Sequence, residues 1–357
     1  MGITRRQCRE VKVGRMTLGG EAPILIQSMT TTTPSQIDST LAQIERLARA
    51  GCELVRVAVP DKPAVGALPE LVAKSPLPLI ADIHFNYRLA LQALEAGVPK
   101  VRINPGNIGG RERFREVIKA ASDRGAALRL GVNAGSLDRS LLTRYGAATP
   151  EALVESALGY LRVVAEENFH NVVVSLKASD VLTTVGAYRK ISSLIDYPLH
   201  LGVTEAGPVE SGVIKSCLGL GPLLLEGIGD TLRVSLTADP VEEIRVARQI
   251  LQSLKLRVFG PEIISCPTCG RCTIDLLPLV EQVTRLLEGV KAPLTVAVMG
   301  CPVNGPGEAR EADLGVTASG EEGYIFRKGK IVTKVHRDDI VKTLEKELNH
   351  LCSRRSL

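Results

Sequence analysis

From Pro23 onward the chain alternates short apolar runs with amphipathic stretches. Pro23 to Met29 has the length of a strand, and Thr33-Pro34-Ser35-Gln36 predicts a helix start, with Thr at the N-cap, Pro at the first helical position and Gln two positions on. Ile37, Leu41, Ile44 and Ala48 keep one helical face apolar, and Gly51 ends it. Further strand-like runs are Leu54 to Val59, Leu77 to Phe85, Lys100 to Asn104, Ala127 to Asn133, Asn171 to Lys177, Pro198 to Thr204 and Asp230 to Leu236. Between and after them lie helical stretches at 62–74, 87–97, 110–124, 150–168, 180–195, 209–225 and 240–254, two of them opened by Thr149-Pro150 and Asp239-Pro240. The strand runs are continuously apolar rather than alternating, as parallel strands covered on both faces require. Eight such units in succession predict a (β/α)8 TIM barrel, a fold of usual length ~250 residues. A doubly wound open sheet is the competitor, but no Gly-x-Gly-x-x-Gly follows the first strand.

After Leu256 the rhythm changes. Phe259-Gly260-Pro261 reads as a linker. Ile274 to Leu287 predicts a helix, Leu294 to Met299 and Leu314 to Ala318 strands, Tyr324 to Val335 a hairpin turning at Lys328-Gly329-Lys330, and Asp338 to Leu351 a closing helix. The expected division is a barrel domain over 1–258 and a small α+β domain over 259–357, with residues 1–22 as a preface.

Composition narrows the partners. Apolar residues make up 45% of the 357, enough for a large core, while aromatics are 3% and Trp is absent, which disfavours a surface of stacked bases. The 44 basic and 39 acidic residues leave a mild +5, which fits an anionic small molecule better than nucleic acid. No apolar run of about 18 residues spans a membrane. The basic start Met1-Gly2-Ile3-Thr4-Arg5-Arg6 has no apolar signal core, so a cytoplasmic protein is expected.

The strand ends carry the chemistry, since barrels of this type place their sites there. Read in order they give Gln27, Arg56, Asp82 with His84, Arg102 with Asn104, Arg129 with Asn133, Lys177, Glu205, and Arg233 with Ser235. Four strands place an Arg between aliphatics, at Arg56, Arg102, Arg129 and Arg233. Structural ion pairs with Asp82, Glu205 or the helices would account for some of these cations. Five cations against two or three acids point instead to an anion, and Arg forks match phosphate oxygens. Asn104-Pro105-Gly106-Asn107 and Gly131-Val132-Asn133-Ala134-Gly135 add glycine-bearing loops that can turn N–H groups toward phosphate. Glu205 is a candidate proton donor. Asp82 and His84, two apart on one strand, share a face, and His84 is either a proton-handling group, a phosphate ligand or a satisfied structural residue.

Four of the eight cysteines fall in two loops, Cys266-Pro267-Thr268-Cys269-Gly270-Arg271-Cys272 and Gly300-Cys301-Pro302-Val303-Asn304-Gly305-Pro306-Gly307-Glu308. In a reducing compartment such spacing indicates metal rather than disulfides. Grouped cysteines followed by a distant Cys-Pro suggest iron–sulfur. Zinc held by Cys266, Cys269, Cys272 and Cys301 is the alternative, and would pair with a barrel enzyme acting on another phosphorylated or pterin-like substrate. Glu308 is a further, replaceable ligand. Cys8, Cys52, Cys217 and Cys352 are scattered and read as small apolar residues.

Ile26-Gln27-Ser28-Met29-Thr30, Ala81-Asp82-Ile83-His84-Phe85, Val101-Arg102-Ile103-Asn104-Pro105-Gly106-Asn107, His200-Leu201-Gly202-Val203-Thr204-Glu205-Ala206-Gly207 and the two cysteine loops together resemble the (E)-4-hydroxy-3-methylbut-2-enyl diphosphate synthase family in its two-domain bacterial form. The resemblance implies a TIM barrel followed by a ferredoxin- or sulfite-reductase-like iron–sulfur domain. It implies a [4Fe–4S] cluster on Cys266, Cys269, Cys301 and Glu308, with Cys272 outside the ligand set. The implied reaction is reductive ring opening and dehydroxylation of 2-C-methyl-D-erythritol 2,4-cyclodiphosphate in isoprenoid biosynthesis, with two electrons from flavodoxin or ferredoxin. Arg56, Arg102, Asn104, Arg129, Asn133, Lys177, Arg233 and Ser235 would bind the diphosphate, with Glu205 as proton donor and Asp82, His84 and Glu308 also in the catalytic set. A head-to-tail homodimer is implied, in which the cluster domain of one subunit caps the barrel of the other.

Overall fold

The computed structural model describes residues 2–301, 307 and 309–355, so Glu308 lies outside the described residues. The chain forms two compact units, Met1–Arg257 and Val258–Leu357.

The first unit opens with a hairpin of β1 (Val11–Val13) and β2 (Met16–Leu18), where the sequence reads only as a preface with no assigned strand. Eight parallel strands follow: β3 (Leu25–Met29), β4 (Leu54–Ala58), β5 (Leu79–Ile83), β6 (Lys100–Ile103), β7 (Ala127–Asn133), β8 (Val172–Lys177), β9 (His200–Leu201) and β10 (Thr231–Leu232). Their order is β8-β7-β6-β5-β4-β3-β10-β9, and a bridge between Val174 and Leu199 brings β8 to β9, nearly closing the barrel. Every expected strand is present, each within the span read from its apolar run.

A helix follows every strand. Thr149 and Asp239 cap theirs as expected, accepting from Ala152 N and Val241 N, with Pro in the first turn. Gly51 closes the first helix in the left-handed conformation. The first helix start differs from expectation: it begins at Ile37 behind Gln36, and no side chain caps it. Pro34 therefore lies ahead of the helix, and the Thr40 hydroxyl donates to Thr33 O. The stretch 62–74 splits into Lys62–Gly66 and Leu68–Lys74, because Pro69 has no N–H with which to continue the first helix. A short helix, Arg139–Tyr145, lies in what reads as loop.

The hairpin closes one end of the barrel. Val11, Val13 and Leu18 are fully buried against Leu25, Leu54, Ile80, Ala127 and Val173, residues from the N-terminal parts of five strands. Each fully buried aliphatic of this size contributes about 1.5–3 kcal/mol. The opposite, C-terminal end carries the polar side chains.

The second unit is a five-stranded sheet of order β11-β12-β13-β14-β15, with β11 (Glu262–Ser265), β12 (Thr295–Met299), β13 (Leu314–Ser319), β14 (Glu322–Arg327) and β15 (Lys330–His336). The first three are parallel and the last two form the expected hairpin, with Lys328 and Gly329 both at positive φ in its turn. β11 was not legible: its residues are partly or fully exposed and its apolar run is two residues long. Helices Leu276–Leu287 and Ile340–Arg355 cover one face, burying Leu276, Val283, Leu287, Ile340, Leu344 and Leu348 against Val296, Val298, Leu314 and Val316.

Among the described residues no helix is long and apolar enough to cross a membrane.

Candidate active site

Strand parity and register build the barrel mouth. Arg56 on β4, Asp82 on β5, Arg102 on β6 and Arg129 on β7 all point inward, and register pairs Asp82 with Arg102 and Arg102 with Arg129. A cavity of about 240 Å³ is lined by Arg56, Asp82, His84, Arg102, Arg129, Asn133, Lys177, Glu205, Arg233 and Ser235, with Ser175, Val203 and Thr204. The structure thus gathers every strand-end residue expected at the site except Gln27 and Asn104. Asn104 is buried and spent locally: its amide donates to Ser136 Oγ at 2.6 Å and its oxygen accepts from Gly106 N at 3.2 Å. It holds the loop after β6 rather than lining the cavity.

Asp82 is the hub of the pocket. Its carboxylate meets Arg102 at 3.0 Å, His84 at 3.4 Å and Arg56 at 3.5 Å. Burial alone would raise its pKa, but Arg56, the His84 hydrogen bond, Arg102 and Arg129 outweigh burial and hold it well below the usual carboxylate range. Burial pushes Arg56 down to about 10, opposed by Asp82, and a guanidinium of that basicity stays charged at neutral pH. Arg233 is satisfied from outside the strands by Glu243 on the Pro240–Ser253 helix, at 3.0 Å, and Glu243 also accepts from Ser28 Oγ and Leu236 N. Burial and the cations Arg129, Arg56, Arg233 and Arg102 push Lys177 well below the ordinary lysine range. Glu205 is exposed at the rim with φ of 53°, the left-handed region that a residue with a Cβ adopts at a cost.

Two glycines make room for the cations. A Cβ on Gly131 would lie 2.7 Å from Arg102 Nε, and one on Gly202 would lie 2.5 Å from Lys177 Nζ. Beneath the mouth, Gln27, Lys100 and His200 are buried in the barrel interior; Gln27 was expected at a strand end, whereas Lys100 and His200 were not singled out. Gln27 Oε1 accepts from Arg129 at 3.2 Å. The signal for Lys100 and His200 was their polarity at the inward-facing start of an apolar strand, which draws less notice than a polar strand end.

The cysteine loops are brought together by β11 and β12. These strands are parallel and in register, Ser265 opposite Val298, so the loops beginning at Cys266 and Gly300 leave the same edge. Cys266, Cys269, Cys272 and Cys301 line a cavity of about 220 Å³ with Pro267, Arg271 and Gly300. Gly300 N donates to Cys266 Sγ at 3.2 Å. The backbone N–H and then the side chain of Arg271 draw the exposed Cys269 thiol below its ordinary range. Cys272 differs in its bonding: its thiol donates to Ile274 O at 3.2 Å, although both it and Cys266 pack against the domain core. Among the described residues no three ligating side chains meet at a single-ion point.

Residues 8–248 match the model for the GcpE TIM-barrel domain and residues 262–350 that for the GcpE protein C-terminal domain. A 4-hydroxy-3-methylbut-2-en-1-yl diphosphate synthase (flavodoxin) of Geobacillus thermodenitrificans is 53% identical over 349 residues, covering 98% of this chain and 93% of that one. The protein of the same name from Bacillus subtilis is 51% identical over 347 residues, covering 97% and 92%. A solved N-acetylneuraminic acid synthetase from Leptospira borgpetersenii superposes with a TM-score of 0.52 at 13% identity, over 71% of this chain and 91% of that one, a likeness of fold alone. Two family models matched in sequence order, with relatives above half identity across nearly the full length, establish that the chain belongs to the GcpE family.

Proposed function

We propose that this chain catalyses the reaction its relatives are named for, forming 4-hydroxy-3-methylbut-2-en-1-yl diphosphate by reductive ring opening and dehydroxylation of 2-C-methyl-D-erythritol 2,4-cyclodiphosphate, with flavodoxin as electron donor. The observation that carries the reading beyond the family is the barrel mouth. Arg56, Arg102, Arg129 and Lys177 converge there from four strands, with Arg233 just beyond β10, and Asp82 is the one carboxylate buried within the pocket lining. A diphosphate supplies the missing negative charge and accepts the forked guanidinium geometry. Asn133 and Ser235 add neutral donors, and Glu205 at the rim is the residue proposed to hold the proton delivered as water leaves. Asp82 orients Arg56, Arg102 and His84 rather than touching the substrate phosphates, since its oxygens are already engaged.

The second unit, over 259–357, is proposed as the cluster domain, and the first, over 1–258, as the substrate domain. Cys266, Cys269 and Cys301 would hold a [4Fe–4S] cluster, with Glu308, which lies outside the described residues, as a replaceable fourth ligand. The residues present fit that group: soft thiols line one cavity, one accepts a backbone N–H, and another is drawn toward thiolate. When bound, such a cluster supplies electrons one at a time.

A homodimer, head to tail as the family resemblance implies, is the proposed assembly. Ile214, Leu218 and Leu225 form an exposed apolar stripe along the Val209–Leu225 helix, a surface that association would cover.

The test is anaerobic reduction of the cyclodiphosphate by purified protein with an artificial donor. Turnover by protein carrying about four irons and four sulfides per chain supports the assignment. Colourless, zinc-loaded protein without turnover would sink it.

A further inference from the structure

His200 is the first residue of β9 and is fully buried. Its Nδ1 lies 2.8 Å from Thr231 Oγ1, its register partner on β10, and its Nε2 lies 3.4 Å from Lys177 Nζ. Lys177 in turn lines the mouth cavity, and among the described residues it makes no ion pair with an acid. In the charged form that binds an anion Lys177 has only donors, so the ring nitrogen facing that ammonium is unprotonated. That fixes the proton on Nδ1, where Thr231 Oγ1 accepts it. Gly202 completes the arrangement, because a side chain there would occupy the space of Lys177 Nζ.

We propose that His200 is a positioning residue for Lys177: locked by Thr231 in the Nδ1–H tautomer, it presents Nε2 as the acceptor that fixes the Lys177 ammonium at the pocket floor, where it takes a phosphate oxygen of the substrate. The proposal rests on the reading of the barrel mouth as a diphosphate site and adds a second tier beneath it. The surroundings favour the required protonation of the ring. Burial, then Arg129, Lys177, Lys100 and Arg56, push His200 well below the ordinary histidine range, so it stays a neutral acceptor.

The acceptor matters because Lys177 is otherwise surrounded by charges of its own sign. Arg129, Arg56, Arg233 and Arg102 all disfavour its ammonium form. A neutral Nε2 counters them before any anion arrives, and a bound diphosphate then completes the neutralisation. Without His200 the ammonium is easier to deprotonate, so anion binding fails at lower pH.

The experiment measures binding of inorganic diphosphate to the full chain by calorimetry across pH, alongside steady-state kinetics. His200→Leu is expected to weaken diphosphate binding roughly tenfold, the scale of one hydrogen bond to a charged group. It should raise KM with kcat little changed and move the alkaline limb of binding to lower pH. His200→Gln, which keeps an acceptor at the Nε2 position, should restore most of the loss. Thr231→Val frees the tautomer without changing side-chain shape. It should shift binding in the same direction by less, and it stands in if His200→Leu does not fold. Folded variants that bind diphosphate like wild type with an unmoved pH limb would overturn the proposal. The binding arm needs no turnover, so it reads the His200–Lys177 pair whether or not the reaction assignment holds.

Discussion

Arg102 and Arg129 are register neighbours on adjacent strands, yet only Arg102 reaches an acid. Arg102 meets Asp82 at 3.0 Å, whereas Arg129 donates to the neutral Gln27 at 3.2 Å and its Nε has no partner among the described residues. Burial, then Arg56 and Arg102, all press against its charge, with Asp82 in opposition. A buried cation left short of a counter-charge destabilises the fold, and is retained where it binds something. Arg129→Met should therefore stabilise the protein by about 1–3 kcal/mol in denaturant melts while weakening diphosphate binding at least tenfold. A variant both less stable and unaltered in binding would make Arg129 a structural residue.

Asp82 has the opposite standing, because Arg56, Arg102 and His84 all lean on it. Asp82→Asn leaves two buried guanidinium groups without their acid and should cost about 3–5 kcal/mol. The pH dependence follows from its depressed pKa. The contribution of Asp82 is fully present above the unfolded carboxyl value of about 3.9 and is lost as pH falls toward the lower folded value. Wild-type stability should drop across that acid window more steeply than that of Asp82→Asn. Parallel acid-unfolding curves would show that Asp82 is not the charge holding the pocket together.

Glu205 occupies a left-handed backbone position, with φ of 53°. Glycine takes that conformation without the Cβ clash, so Glu205→Gly should gain about 1 kcal/mol in thermal unfolding while losing most turnover. Glu205→Gln keeps the strain and should leave stability and diphosphate affinity near wild type, again with turnover lost. Full activity in Glu205→Gln would remove this carboxylate from proton delivery.

The two cysteines of the first loop with comparable burial should behave differently. Both line the thiol cavity and pack on the domain core, but Cys266 accepts from Gly300 N whereas the Cys272 thiol donates to Ile274 O. Cys266→Ala should abolish iron incorporation. Cys272→Ala should keep the iron and sulfide content and the visible spectrum, at a stability loss of about 1 kcal/mol. Iron loss in Cys272→Ala would restore it as a ligand.

The barrel was legible because parallel strands buried on both faces must be continuously apolar, so the cations interrupting them at Arg56, Arg102, Arg129 and Arg233 stood out. What completes the site was not. Glu243 reaches Arg233 from a helix, where a Glu reads as one more solvated charge. Gly131 and Gly202 act by leaving space, which no periodicity reports. β11 is stabilised by pairing with β12 rather than by its own hydrophobicity, and so its residues read as no element. Asn104 sits in a polar motif beside the pocket, but its side chain is used by its own loop.

The amino-terminal hairpin carries a kinetic consequence. With Val11, Val13 and Leu18 sealed against the strand starts, the barrel is a blind-ended vessel. A substrate held at the barrel mouth would have to enter, and its products leave, at that one end. The next substrate cannot enter until the last product has left, so product should inhibit competitively, and loosening the hairpin should harm the fold without opening a second exit.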